Sequence, residues 1–96
     1  MRIIEKEKTD NCFNESFEYR YRFDCVFTKD NIQMLSCLGD LRYYDTFPIP
    51  MFCVNNLHGQ IIKGVEGSNE CRIIYNRNTI NTDMDIFERH FEQIPN

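Results

Sequence analysis

Along Phe17-Glu18-Tyr19-Arg20-Tyr21-Arg22-Phe23-Asp24-Cys25-Val26-Phe27, every odd position is aromatic or cysteine and every even position through 24 is charged. A period of two marks a strand with one face in the core and one in water, because successive side chains leave opposite sides of the backbone. Phe17, Tyr19, Tyr21, Phe23, Cys25 and Phe27 are therefore expected inside, and Glu18, Arg20, Arg22 and Asp24 on a solvated stripe. Such a strand needs sheet neighbours on its flanks and an apolar layer over its aromatic face.

The rest of the chain supplies candidates for both. Thr28 to Gly39 predicts a short helix with Asp30 as cap and Gln33 completing a capping-box-like pair. Asn31, Met34, Leu35 and Leu38 share its apolar face, Ile32 sits at the edge, and Gly39 is expected as a left-handed stop. Leu41 to Thr46 is β-prone through Tyr43 and Tyr44. Phe47-Pro48-Ile49-Pro50 then removes two amide donors and predicts an edge or a crossing between strands. Met51 to Val54, Gln60 to Glu66 and Glu70 to Tyr75 read as a three-stranded meander, with Gly64 marking a bulge or a close backbone contact. Met84, Phe87, Phe91 and Ile94 repeat at 3, 4, 3 spacing on a final amphipathic helix, with Thr82 as its expected cap.

The expected element order is β-β-α-β-β-β-β-α. It predicts an α+β fold: a mostly antiparallel sheet of five to six strands with two short helices on one face, ferredoxin-like in outline, and one right-handed crossover between Phe17 and Thr46. That outline is an architectural label and carries no activity. With 96 residues, 42% apolar and 27% charged, residues 1–96 are expected to form a single compact domain that buries roughly 65% of its unfolded surface.

The net charge is −4, from eleven Lys and Arg against fifteen Asp and Glu. No basic stripe invites a polyanion, so no nucleic-acid partner is expected. The start turns charged after Ile3-Ile4, short of the apolar core of about seven to fifteen residues in a secretory signal. No apolar run nears the eighteen or so residues of a membrane helix. A soluble, cytoplasmic chain without a membrane partner is the expectation. Cysteines at 12, 25, 37, 53 and 71 are odd in number and irregular in spacing, which fits neither a disulfide framework nor a paired metal knuckle. Free thiols are expected, and the sequon Asn14-Glu15-Ser16 is read as chance.

No residue pattern names a reaction. Gly64-Val65-Glu66-Gly67 lacks the lysine and the following helix of a phosphate loop. No catalytic residue, metal site or cofactor is assigned, and an enzyme is not the favoured reading. Cys53 and His58 stand close enough in sequence for a thiol and an imidazole to meet across a turn, although a packed strand position explains Cys53 more simply. The preferred expectation is a small interaction or regulatory module that binds a protein partner or its own copy. Its surface would comprise Arg42, Tyr44, Asp45, Phe47 and Ile49, where aromatic, cationic and apolar groups sit on proline-stiffened backbone. The alternatives are a small-ligand sensor with a site at a dimer interface, and a cysteine-based redox or metal module using Cys53 and His58.

Overall fold

The computed structural model describes residues 1–9, 16–46 and 48–95. Six strands form one sheet: β1 (Ile3–Lys8), β2 (Ser16–Phe23), β3 (Asp40–Tyr44), β4 (Met51–Asn55), β5 (Ile61–Val65) and β6 (Glu70–Asn76). Helix α1 (Lys29–Gln33), extended by a 3₁₀ turn at Met34–Leu38, joins β2 to β3, and α2 (Ile80–Gln93) follows β6. The lateral order is β1-β2-β6-β5-β4-β3, and every neighbouring pair is antiparallel. The molecule is thus an open antiparallel sheet with two helices, an α+β architecture. Because β2 and β3 point the same way, their helical connection is a crossover spanning β6, β5 and β4.

The alternation along 17–23 does what its period requires. Register puts Tyr21 beside Cys71 and Tyr19 beside Ile73. It then runs through Ile62 to Val54, and through Gly64 to Phe52. Ile32, Leu35, Phe87 and Phe91 cover this face from the helices, all fully or nearly fully buried. Aromatic rings dominate the layer: Phe23 lies 4.9 Å from Phe91, and Phe27 lies 4.8 Å from Phe52, centroid to centroid. A tyrosine can sit here only if its hydroxyl is bonded. Tyr21 Oη pairs with Tyr75 Oη at 2.9 Å and donates to Glu88 Oε2 at 2.7 Å.

Several local expectations are corrected. The strand ends at Phe23, not Phe27, although the Asp24 amide still reaches Arg2 O at 3.0 Å. Phe27 nevertheless returns to the core, its amide bonded to Ser68 O at 2.8 Å, while Cys25 is only half-buried. The first helix is capped by Thr28 rather than Asp30. Thr28 Oγ1 accepts from the Asn31 amide, and Asn31 Oδ1 accepts from the Thr28 amide, a capping box placed two residues earlier. Met34 then points to solvent, and Ile32 with Leu35 forms the buried stripe. Gly39 is extended, at φ 166°, so no left-handed stop exists there. What requires glycine at 39 is proximity: a Cβ would fall 2.5 Å from the Asn55 carbonyl oxygen. Gly64 lies in unbroken register opposite Phe52 and makes no bulge. Its close neighbour is a side chain, since a Cβ there would lie 2.5 Å from Phe52 Cζ. Helix α2 starts at Ile80 after Thr79, not at Thr82. Cys12 and most of the sequon lie outside the described residues.

Among the described residues no helix is long and apolar enough to cross a membrane.

The two faces predict unequal mutational costs. Phe23 is 0% exposed, so Phe23→Ala should lose about 3 to 5 kcal/mol in denaturant unfolding. Arg22 bonds Glu70 from a side chain 37% exposed, so Arg22→Ala should lose under about 1 kcal/mol. Equal losses would mean the register is wrong.

Candidate functional site

Among the described residues no element covers the face opposite the helices, and register reads that face in rows. One row runs Tyr44, Met51, Val65; the next runs Arg42, Cys53, Lys63, Arg72, Arg20. The β1 side of this face is a charge lattice, with Arg20 paired to Glu5 and Glu7, Arg22 to Glu5 and Glu70, and Arg72 to Glu18. The β3 corner is more apolar, because Tyr44, Met51 and Ile49 are 46%, 45% and 60% exposed. Arg42 and Tyr44 therefore both occupy the free face of an edge strand, as the sequence-based surface requires. Asp45 and Ile49 are exposed in the connection that follows, and Phe47 lies outside the described residues. Arg42 Nε donates to Asp40 Oδ2 at 3.1 Å, and both side chains are 63% exposed. On the other face of β3, Tyr43 Oη donates to Glu66 Oε1 at 2.6 Å. That bond to the carboxylate is the largest cause pushing the Tyr43 phenol up to about 12 from 10.0. Its stabilising effect is complete below the unfolded value and fades as pH climbs through the folded one.

The thiols separate sharply. Cys71 is buried, and burial pushes its thiol well above the ordinary range. Cys53 is half-buried on the open face, where Asn55 Nδ2 approaches its Sγ at 3.6 Å. Cys37, in the 3₁₀ turn, is exposed. The structure does not bring Cys53 to His58. The imidazole belongs to the helix side of the sheet, where His58 Nδ1 meets Asp83 Oδ2 at 2.9 Å.

That contact is the visible end of a buried polar knot. Gln60, 0% exposed, donates through Nε2 to Thr79 Oγ1 at 2.6 Å and to Asp83 Oδ2, and its Oε1 accepts from the Asn76 amide at 3.2 Å. Asn56 Oδ1 accepts from the amides of His58 and Gln60, both at 2.9 Å, which closes the turn between β4 and β5. The Thr79 hydroxyl thus accepts from Gln60 and does not cap α2. Asp83, 3% exposed, spends its carboxylate on the turn. Beside the knot opens a cleft of about 370 Å³ lined by Cys37, Leu38, Leu57, His58, Asp83 and Ile86, among others. Nothing in the sequence near His58 announces Asp83, 25 residues on; the available signal was an acidic residue in the first turn of an apolar helix. Among the described residues no group of three or more His, Cys, Asp or Glu is placed to hold a metal ion.

Two outcomes test this geometry. Asp83→Ala leaves Gln60 Nε2 only its bond to Thr79 Oγ1, with one of its two hydrogens unpaired in the interior, and should lose about 1 to 3 kcal/mol of unfolding free energy. His58→Ala removes a side chain 56% exposed and should lose under about 1 kcal/mol; the reverse ranking would place the knot elsewhere. In native protein treated with iodoacetamide, Cys37 should alkylate while Cys71 stays protected until denaturant is added.

Comparison with protein families, with curated proteins and with solved structures finds no match to this chain.

Proposed function

We propose that this chain is a small binding module that works by self-association, adding β3 of one copy to β3 of another. The observation that supports the reading is the unequal treatment of the two sheet edges. Any edge strand presents unpaired N–H and C=O groups and is a template for further pairing unless it is blunted. Edge β1 alternates Glu5, Lys6, Glu7 and Lys8, all exposed, a row of charge that discourages a neighbour. Edge β3 reads Asp40-Leu41-Arg42-Tyr43-Tyr44, with large aromatic side chains and only one charge of each sign. Strand addition is a common way for such an edge to bind.

The occupant is inferred from charge. In an antiparallel pair related by a two-fold axis through Leu41, Asp40 of each copy stands opposite Arg42 of the other, so the Asp40–Arg42 ion pair forms twice. Centring the pair on Arg42 would instead oppose like charges. Tyr44, Met51 and Ile49 would extend the contact beyond the strand with rigid, amphipathic area of the kind enriched at interface centres. The ferredoxin-like outline is retained only as an analogy of layers and lends this reading no activity.

Charge exchange across β3 tests it. Sedimentation at high micromolar concentration should find a dimer for the wild type and mostly monomer for Asp40→Arg or Arg42→Asp alone. The double variant, with the two charges exchanged, should recover the dimer because each ion pair is restored in the opposite sense. A wild type that stays monomeric, or single reversals that leave the mass unchanged, would remove the reading.

A further inference from the structure

We propose that the cleft between the 3₁₀ turn, the β4–β5 turn and α2 is a thiol-acylation site, with Cys37 as nucleophile, His58 as its base and Asp83 as the residue that positions the base. The acceptable substrate is a small apolar acyl group carried on a good leaving group. This inference is independent of how β3 pairs.

Asp83 Oδ2 accepts from Gln60 Nε2 and meets His58 Nδ1; a carboxylate oxygen is acceptor-only, so His58 Nδ1 is the donor of that contact. A hydrogen fixed on Nδ1 leaves the Nε2 lone pair as the imidazole's free basic site. A carboxylate, an imidazole held by it through Nδ1, and a nearby nucleophile are the parts of an activated nucleophile, whatever the fold. Gln60, Thr79 and the two Asn56 turn bonds hold Asp83 and His58 from behind, so the base is anchored on buried structure even though its ring is 56% exposed.

Cys37 is the thiol that shares the cleft with this base. It alone among the four described free cysteines is exposed, it lines the same cleft, and it makes no hydrogen bond within the described residues. Without a ligand, nucleophile and base are often looser than in the reacting complex. Leu38, Leu57 and Ile86 give the cleft an apolar wall, with Leu57 fully exposed and Ile86 49% exposed at its rim. A volume of about 370 Å³ accommodates a short acyl chain and a compact leaving group.

In the step, the Cys37 Sγ–H proton passes to His58 Nε2 as Sγ bonds to the acyl carbon. The bond from that carbon to the leaving oxygen or sulfur breaks, the leaving atom keeps the bonding pair, and it takes the proton from His58. Acyl-Cys37 and the protonated leaving group are the products. No oxidant, reductant or metal is required.

The test uses the full chain and 4-nitrophenyl acetate. Nitrophenol release should show a burst of one equivalent, and peptide mass mapping should find a single acetyl group on Cys37. Cys37→Ser should abolish the burst, Cys53→Ser should leave it unchanged, and His58→Ala should slow it at least about tenfold. Asp83→Asn should displace the pH profile of the burst rate while circular dichroism shows a folded chain. If that variant unfolds, His58→Ala, a surface change, still decides the matter. Acetyl spread evenly over several cysteines, or a Cys37 rate indifferent to His58→Ala, would overturn the proposal. A pH profile unmoved in folded Asp83→Asn would overturn the role given to Asp83.

Discussion

Tyr21 donates its hydroxyl to Glu88 on α2 and shares a second bond with Tyr75 on β6, and these two contacts fix how the helical layer sits on the sheet. A phenol in an aromatic core is costly if its oxygen is left unbonded. The pair of tyrosines therefore ties the sheet to α2 at one depth and in one rotation. Burial is the main cause that raises both phenols far above their ordinary range, with the partner tyrosine and Glu88 adding to it at Tyr21. They stay neutral and bonded wherever the fold itself survives. Lys6 Nζ lies 2.8 Å from Glu88 at the outer end of the chain of contacts, so edge β1 is joined to the same helix.

A second tie, chemically distinct, works in the first turn of α2. There Gln60 and Asp83 fasten the β4–β5 turn to the helix start, and the cleft with Cys37 lies just outside. Held at both points, the helix presents Phe87 and Phe91 to the sheet. The free face of the sheet has no comparable polar anchors under a second layer. Its charges are satisfied laterally, arginine to glutamate across neighbouring strands, and they thin out toward β3. The molecule therefore has one face specialised for holding itself together and one edge left available.

Much of this was legible in the chain because a period of two allows few alternatives. The inward set Tyr19, Tyr21 and Phe23, the meander through β4, β5 and β6, the element order, and the apolar stripe Phe87, Phe91, Ile94 all follow from spacing alone. Element ends were harder, since several side chains compete for one cap. Thr28 and Asp30 are both good caps, and the choice fell to Thr28 because Asn31 answers it. Thr79 and Thr82 compete in the same way, and the hydroxyl of Thr79 was claimed by Gln60 at the end of the β4–β5 turn. For the candidate surface, the prolines after Tyr44 left an edge and a crossing both open; they lie in the connection from β3 to β4, and the edge position of Arg42 and Tyr44 comes from the lateral strand order. The His58–Asp83 contact was not readable, because it depends on how the β4–β5 turn and α2 dock, which no local pattern encodes.

The lateral order also bears on how the chain reaches this state. Strands β3 to β6 are joined by short turns and pair in sequence order, so their contacts close small loops. By contrast β2 must find β6 across most of the chain, since Tyr21 and Tyr75 are separated by 54 residues. Loop-closure entropy makes that pairing the expensive one, and non-local pairings slow folding. A meander that assembles first would expose the edge of β6 until β2, bringing its aromatic row and β1, completes the sheet. During that interval the chain carries a second open edge, at the centre of the future sheet, which in the finished molecule is the most deeply protected place of all.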